Sequence, residues 1–257
     1  MISCPLHDGG IVMARGIYLL FGVVAYFVFF ATFIYLIAFV GNLPWVPRTV
    51  DRGPVADLAP AIAINLALIA VFGLQHSLMA RQGFKRAWTR IIPAPVERSF
   101  YVLFASLALI LLFAFWRPIP QAVWSVENGV AVALLWSLFA LGWLIVLLST
   151  FLISHFELFG LQQVWLHLRG RAAAAPRFRQ PFFYKLVRHP LYSGFFLAFW
   201  ATPAMSAGHL VLALGMSVYM LVAIRYEERD MVALFGNDYE NYRQTVGMLT
   251  PRARRRA

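Results

Sequence analysis

The sequence predicts an all-α, polytopic integral membrane protein with five to six transmembrane helices. Of its 257 residues, 61% are hydrophobic and 13% are charged, whereas soluble domains are about 45–50% apolar and about 25% charged. The excess lies in long uncharged runs, each near the roughly 17–25 residues that cross a bilayer core as a helix. The last two runs are short and are split near Pro203 and Gly208, which predicts a short helical hairpin.

The predicted helices follow these apolar runs in chain order. They cover Gly16–Val40, Leu58–Ala80, Phe100–Trp116 and Val130–Ile153, and then the hairpin, Leu191–Ala207 and Leu210–Ile224. The first run is too long for a signal peptide and lacks the small-residue cleavage site, so we expect it to be retained. Met13 resembles an alternative start, and we therefore interpret residues 1–15 as an N-terminal extension of which the first twelve contribute little.

The charges predict the topology. Loops 81–99 and 154–189 are strongly basic, whereas loops 43–57 and 117–129 are balanced. Positive residues favour the cytoplasmic side, so the basic loops and both termini are expected there, in a bacterial inner membrane. The net charge of +11 is distributed to suit topology and anionic lipid, and we expect the lipid bilayer, not nucleic acid, to be its partner. Nothing in the sequence indicates an obligate protein partner.

Metal and disulfide chemistry are not expected. Cys4 is the only cysteine, which excludes an intramolecular disulfide or a thiolate cluster. The two acid–base residues His155 and Glu157 are two apart and do not share a helix face, and no spacing resembles the H-E-x-x-H pattern. We predict no metal site.

Three polar clusters stand at the predicted cytoplasmic ends of apolar helices, where charged groups are costly and usually functional or paired. The first is Gln75, His76 and Ser77. The second follows the fourth helix and includes His155, Glu157, Gln162, Gln163 and His167. The third combines Arg188 and His189 with Arg225, Glu227, Glu228, Arg229 and Asp230. The structural alternatives for these clusters are capping of helix ends, an interfacial helix facing water and simple charge balance. The aromatic residues are interpreted mainly as lipid-facing surface and interface belt.

The C-terminal quarter carries a specific motif. "RHPLYSG" starts at Arg188, and after the hairpin come "EE" at Glu227–Glu228 and "FGNDYENY" at Phe235–Tyr242. This order and spacing resemble the isoprenylcysteine carboxyl methyltransferase superfamily. The N-terminal stretches "LQHSLMAR" and "LISHFELFGLQQVWLHLRG" make the chain most similar to the bacterial methanethiol S-methyltransferases within it.

The resemblance implies a membrane methyltransferase that uses S-adenosyl-L-methionine, bound in a pocket that faces the cytosol and is closed by the last hairpin and the tail. The cofactor-binding positions carried over from the superfamily are Tyr184, His189, Pro190, Leu191, Tyr192, Gly194, Glu227 and Glu228. Residues 184–251 would form this cofactor-binding hairpin and tail, residues 16–183 the membrane helices and substrate side, and residues 252–257 a basic tail. The proline suits a first helical turn, whose free N–H groups can face a carboxylate.

Two positions depart from the superfamily pattern. The prenylcysteine enzymes place an arginine four residues before the first glutamate, where it binds the substrate carboxylate; this chain has Ala223 there. A glycine commonly precedes the matched tyrosine by two, and here that residue is Phe182. The loss of the arginine favours a small thiol acceptor, above all methanethiol, which would be converted to dimethyl sulfide.

A thiol acceptor needs help in forming its thiolate, the actual nucleophile. The candidate catalytic residues are His76, His155 and Arg225, as bases or as a cation beside the anion. Gln75, Glu157 and Gln163 are the candidate substrate-binding residues. Three alternatives remain at this point: a carboxyl methyltransferase of an isoprenoid-linked or lipid acid, a non-enzymatic membrane accessory protein, and a transporter. The complete motif weighs against the second, and the lack of inverted repeats weighs against the third.

Overall fold

The computed structural model describes the backbone of residues 5–173 and 177–252 and the side chains of residues 13–173 and 177–252. The long helices are α1 (Pro5–Val40), α2 (Leu58–Ala80), α4 (Glu97–Phe115), α5 (Gly129–Ile153) and α9 (Ala207–Phe235). The shorter ones are α3 (Gln82–Trp88), α6 (His155–Leu158), α7 (Leu161–Leu168), α8 (Pro190–Trp200) and α10 (Asn237–Thr245). Two 3₁₀ turns, Ala94–Val96 and Phe182–Lys185, and two strands, β1 (Ala122–Ser125) and β2 (Ala204–Ser206), complete the described elements.

Within the described residues, five helices are long and apolar enough to cross a membrane. They lie in the ranges Met13–Val40, Leu58–Ala80, Ala94–Phe115, Gly129–Ile153 and Ala207–Phe235. The all-α membrane fold is therefore confirmed, with five spans. The fifth predicted helix, α8, has 11 residues and a length of about 16 Å, which is shorter than a bilayer core.

Three predicted helix boundaries were wrong by more than three residues. The first arm of the hairpin was expected to end at Ala207, but α8 ends at Trp200. The first helix begins at Pro5 rather than Gly16; side chains 1–12, and with them the prediction that they contribute little, lie outside the described set. The last helix was expected to end at Ile224 with the apolar run, but α9 continues to Phe235. Its extension, "RYEERDMVALF", contains mostly strong helix formers and no glycine or proline. Only the first arm of the hairpin is therefore short.

The strands were not predicted from the sequence. β1 and β2 pair antiparallel, with Ala122 opposite Ser206, and the Trp124 indole N–H donates to the Thr202 carbonyl oxygen at 3.1 Å. This small ribbon joins the segment before α5 to the turn between α8 and α9. It does not resemble the parallel sheet of the soluble α/β methyltransferases, which the sequence also argued against.

The chain forms two compact units, each assembled from separate stretches of sequence. Unit 1 consists of residues 1–36, 70–112 and 154–175, and unit 2 of residues 37–69, 113–153 and 176–257. The boundaries cut through α1, α2 and α4, so each of these three helices contributes residues to both units. Unit 1 has an aromatic core in which Phe29 and Phe159 pack against Met79 and Tyr101.

In unit 2, helices α5 and α8 touch backbone to backbone. A Cβ atom at Gly142 would lie 2.7 Å from the Ala198 nitrogen, and one at Gly194 would lie 2.7 Å from the Gly142 carbonyl oxygen. Real side chains do not fit at such distances, so both positions require glycine. Small residues at helix crossings allow this close approach within membranes. The glycine of the motif therefore packs α8 against a spanning helix.

Candidate active site

Glu228 lies at the centre of the charged residues of unit 2. Its Oε1 accepts from Arg188 Nε at 2.8 Å and lies 3.1 Å from His189 Nε2, and its Oε2 lies 3.5 Å from Arg243 Nε. The carboxylate is only 12% exposed, and the Arg188 and His189 side chains are 11% and 5% exposed. We call Arg188, His189, Glu227, Glu228 and Arg243 the motif cluster. Its buried charges are paired, as such charges must be.

The chain after α10 is tied to the same motif. Four successive carbonyl oxygens, from Val246 to Leu249, accept hydrogen bonds from it. The donors are Arg188 Nη1 (2.5 Å), the Arg188 backbone N–H (2.8 Å), the His189 backbone N–H (3.1 Å) and the Ser193 hydroxyl (2.8 Å). This strap, Val246–Leu249, fixes both the side chain of Arg188 and the backbone that leads into α8.

The strap turns sharply at Gly247. A Cβ atom there would lie 1.9 Å from the Thr250 carbonyl oxygen, a distance that no side chain tolerates. Gly247 also forms an isolated bridge with Val187. The turn is therefore paired directly with the chain that leads into the motif. The resemblance to the superfamily had implied that the tail closes the cofactor pocket, without naming these contacts.

Aromatic hydroxyls support the chain just before the motif. The Tyr242 hydroxyl donates to the Tyr184 carbonyl oxygen at 2.5 Å, and Phe178 packs against the rings of Tyr239 and Tyr242. Burial raises the pKa of Tyr242 to about 12 and that of Tyr184 still further, with the Glu227 carboxylate adding to the second effect. Both phenols are therefore protonated donors near neutral pH.

The predicted cofactor residues come together in unit 2. His189 precedes Pro190, the first residue of α8, so the N–H groups of Leu191 and Tyr192 belong to a first turn that offers them no helical acceptor. The Tyr192 ring lies 5.8 Å from the His189 ring. Glu227 Oε2 lies 4.0 Å from His189 Nδ1, and the Glu227 side chain is 49% exposed.

Glu227 and Glu228 thus differ although they are neighbours. Glu228 is occupied by the cations of the motif cluster, whereas the Glu227 carboxylate is open to solvent and to a ligand. The sequence placed both among the candidate cofactor contacts. Of the two, only Glu227 presents a half-exposed carboxylate that a ligand could reach.

The two predicted catalytic histidines lie in unit 1, and each contacts a tyrosine hydroxyl. The Tyr101 hydroxyl lies 2.7 Å from His76 Nε2, and the Tyr26 hydroxyl lies 2.9 Å from His155 Nε2. We call these four residues the histidine cluster. Both pairs adjoin the same aromatic core, since the Phe159 ring lies 4.9 Å from the His155 ring and packs against Tyr101.

Arg98 links the two halves of the histidine cluster. Its guanidinium lies 4.6 Å from the centre of the Tyr101 ring, and its Nε donates to the Leu158 carbonyl oxygen at 2.7 Å, in the short helix that begins with His155. Burial lowers the pKa of His155 below its ordinary value, so this imidazole is neutral near pH 7 and able to accept a proton.

The other predicted residues occupy the rim of these clusters. Gln75 Nε2 donates to the Met79 sulfur at 3.1 Å, and Gln163 Nε2 donates to the Glu157 carbonyl oxygen at 2.9 Å. Glu157 is exposed, and so is Arg225. Arg225 lies on α9 in unit 2 and the two histidines in unit 1, so the three predicted catalytic residues do not share a unit. The first two polar clusters come together in unit 1, and the third lies in unit 2.

Several residues were missed by sequence reasoning. Tyr26, Tyr101 and Arg98 were not singled out, because aromatic and basic residues are common at the ends of membrane helices. Tyr101 is only 6% exposed, which no sequence pattern indicated. Across residues 13–173 and 177–252, no group of three histidine, cysteine or acidic side chains is placed to hold a metal ion.

The chain is similar to proteins of known name over most of its length. The chain is 54% identical to methanethiol S-methyltransferase 1 of Bradyrhizobium diazoefficiens over 233 residues, which is 90% of this chain and 81% of that protein. It is 50% identical to methanethiol S-methyltransferase of Mycobacterium tuberculosis over 239 residues, which is 93% of this chain and 98% of that one.

The chain belongs to the methanethiol S-methyltransferase family. A more distant relative, Nurim of Xenopus laevis, is 31% identical over 183 residues, 67% of this chain and 63% of Nurim, which fits the isoprenylcysteine methyltransferase-like superfamily. No protein-family model and no solved structure matches the chain. The family predicted from "RHPLYSG" and the N-terminal stretches is thereby confirmed.

Proposed function

We propose that this protein methylates methanethiol to dimethyl sulfide with S-adenosyl-L-methionine as the methyl donor. The reaction is inferred from the family to which the chain belongs. The single structural observation that best supports it is the presence of two tyrosine–histidine pairs around an apolar aromatic core in unit 1. Such an environment suits a small apolar thiol that must lose its proton.

The motif cluster fits a zwitterionic donor. The half-exposed Glu227 carboxylate can accept from an amino group or ribose hydroxyls, and the N–H groups of Leu191 and Tyr192 can donate to a carboxylate at the start of α8. His189 and Tyr192 line the same helix start. When bound, S-adenosyl-L-methionine supplies a methyl group on a sulfonium sulfur, activated for in-line displacement.

The histidine cluster serves the acceptor. His155, neutral because burial lowers its pKa, would take the thiol proton and leave a thiolate, which is the form of the acceptor that a bound sulfonium donor would methylate. Tyr26 can both donate and accept a hydrogen bond, so it can follow the imidazole through both protonation states. His76 with Tyr101 has the same construction. General-base assistance is typically worth about 10²–10⁴-fold in rate.

Ala223 supports a neutral acceptor. It stands where the prenylcysteine enzymes have a carboxylate-binding arginine, and it is 8% exposed within α9. Methanethiol offers few atoms, and binding is limited to about 1.5 kcal/mol per non-hydrogen atom. We therefore expect a weak KM, a rate governed by thiolate formation and no turnover of a prenylcysteine acid.

The donor site is tested by titrating S-adenosyl-L-methionine into purified protein. His189→Ala, Tyr192→Ala and Glu227→Ala are expected to weaken binding while the folded protein persists, and Glu127→Ala, an exposed loop carboxylate, serves as control. Unchanged affinity in all three variants would place the cofactor elsewhere.

The acceptor is tested by measuring dimethyl sulfide in the headspace over protein, donor and methanethiol. His76→Ala and His155→Ala should lower the rate at neutral pH and recover part of it at alkaline pH, where the thiol ionises unaided. Methylation of a prenylcysteine acid without any dimethyl sulfide would refute the proposal.

The orientation follows from the charge balance of the loops. We propose that loops 81–99 and 154–189 and both termini face the cytoplasm of a bacterial inner membrane. Reporter fusions placed in loop 154–189 are expected to give a cytoplasmic signal, and a periplasmic signal from that loop would overturn the orientation.

A further inference from the structure

A basic cleft opens beside the motif cluster in unit 2. It has a volume of about 460 Å³ and is lined by Arg188, Arg243, Arg252, Glu240 and Gln244. Three positive side chains therefore face one negative one. The volume falls within the roughly 300–1,000 Å³ of ordinary ligand sites.

The guanidinium groups of the cleft have more donors than their described contacts employ. Each guanidinium carries five N–H donors. The Arg188 guanidinium donates three hydrogen bonds, one to Glu228 and two to carbonyl oxygens. Arg243 pairs with Glu228 at 3.5 Å. Arg252 donates to the Gln244 carbonyl oxygen. Like charges held side by side repel, and an oxyanion placed among them would relieve that repulsion while accepting the remaining donors.

The cleft lies at the end of a membrane span. Arg188 bonds Glu228, which stands in the last two turns of α9, and α9 is one of the five candidate spans. Arg188 also comes two residues before the apolar helix α8. A group bound in the cleft would therefore lie near the end of that candidate span.

We propose that this cleft binds the phosphate of an anionic phospholipid headgroup. Basic residues near a membrane surface favour the binding of anionic lipid, and Arg–phosphate pairs are often bidentate. Because Arg188 and Arg243 both contact Glu228, the bound headgroup also favours the folded motif cluster. This inference concerns a separate ligand and does not depend on the proposed reaction.

The test compares Arg243→Gln/Arg252→Gln with the charge-matched control Arg86→Gln/Arg90→Gln, whose side chains are exposed on and just after α3. The proteins are held in nanodiscs of phosphatidylcholine with added phosphatidylglycerol, and the retained lipid is measured by native mass spectrometry. We expect phosphatidylglycerol to be enriched on the wild type and on the control, and about tenfold less retained on the cleft variant.

Three results would overturn the inference. Equal retention of both lipids, or equal loss in both double variants, would reduce the effect to overall charge. Inorganic phosphate that binds and displaces phosphatidylglycerol at comparable concentration would make the cleft a site for a free anion. Competition between phosphatidylglycerol and S-adenosyl-L-methionine would assign the cleft to the cofactor.

Discussion

The motif cluster and the histidine cluster solve the same problem, polar groups next to apolar helices, in opposite ways. The motif cluster uses charged groups, with the Glu228 carboxylate 2.8 Å from Arg188 Nε and 3.1 Å from His189 Nε2. The histidine cluster uses neutral hydrogen-bonded pairs inside an aromatic core. Buried charges are tolerated in the motif cluster because side chains and backbone carbonyl oxygens supply them with partners. The aromatic core of unit 1 favours neutral groups, which need no counter-ion.

The largest expected effect comes from Glu228→Gln. Removing one partner of a buried ion pair leaves uncompensated charge and typically costs about 3 kcal/mol or more, so we expect a markedly lower thermal unfolding temperature in detergent. Glu227→Gln is the matched control: its side chain is 49% exposed, and it should lose cofactor affinity but little stability. If the two variants lose equal stability, the distinction between the two glutamates is wrong.

Gly247→Ala should come next. The added methyl group would lie 1.9 Å from the Thr250 carbonyl oxygen, so the strap must shift away from Arg188 and Ser193. Overpacking of this kind costs about 1–3 kcal/mol, and the lost contacts should also weaken cofactor binding. Gly83→Ala, in α3 with nothing near its would-be Cβ, is the control. Wild-type binding by Gly247→Ala would mean that the strap does not support the motif.

The histidine cluster should respond more mildly in stability than in rate. Tyr26→Phe and Tyr101→Phe each remove one hydroxyl, worth about 1 kcal/mol of unfolding free energy, but they should also shift the pH profile of dimethyl sulfide formation, because each imidazole loses its partner. Tyr18→Phe is the control. The Tyr18 ring stacks on the ring of another histidine, His167, at 5.5 Å, and phenylalanine keeps that stacking when the hydroxyl is removed. A pH profile unchanged in both variants would restrict the two tyrosines to packing.

The smallest expected effect is a gain in stability. Phe182 has φ of +34°, in the left-handed region that costs a side-chain-bearing residue about 1–2 kcal/mol. Phe182→Gly relieves that strain, but it enlarges the freedom of the unfolded chain by about 0.5–1 kcal/mol. We expect a rise in unfolding temperature of a few degrees or less, with Phe183→Gly as the destabilising control. A clear loss for Phe182→Gly would show that the exposed ring has a role of its own.

The sequence predicted the parts that depend on local composition. Helix α2 has the predicted bounds, Leu58–Ala80, because its apolar run and its helix coincide. Helix α9 does not, because helix propensity carries the chain past the end of the apolar run at Ile224. The motif around His189 was recognisable because its residues are adjacent in sequence.

The tyrosine partners of the two histidines were not recognisable, because they lie far from the histidines along the chain. Tyr26 and His155 are separated by 129 residues, and His76 and Tyr101 by 25, so no spacing rule joins them. In a chain with 23 phenylalanines and 10 tyrosines, one hydroxyl among many aromatic rings gives no signal. The difference between Glu227 and Glu228 also required the fold, since only the packing of α9 beside Arg188 decides which carboxylate is occupied.

The glycine contact between α5 and α8 has a consequence for evolution of the site. With the Gly142 carbonyl oxygen and the would-be Cβ of Gly194 only 2.7 Å apart, the distance between α5 and the start of α8 is set by two missing side chains. A substitution at either position would displace the whole helix start and would carry Pro190 with it. Evolution can therefore change the residues around this crossing more readily than the two glycines themselves.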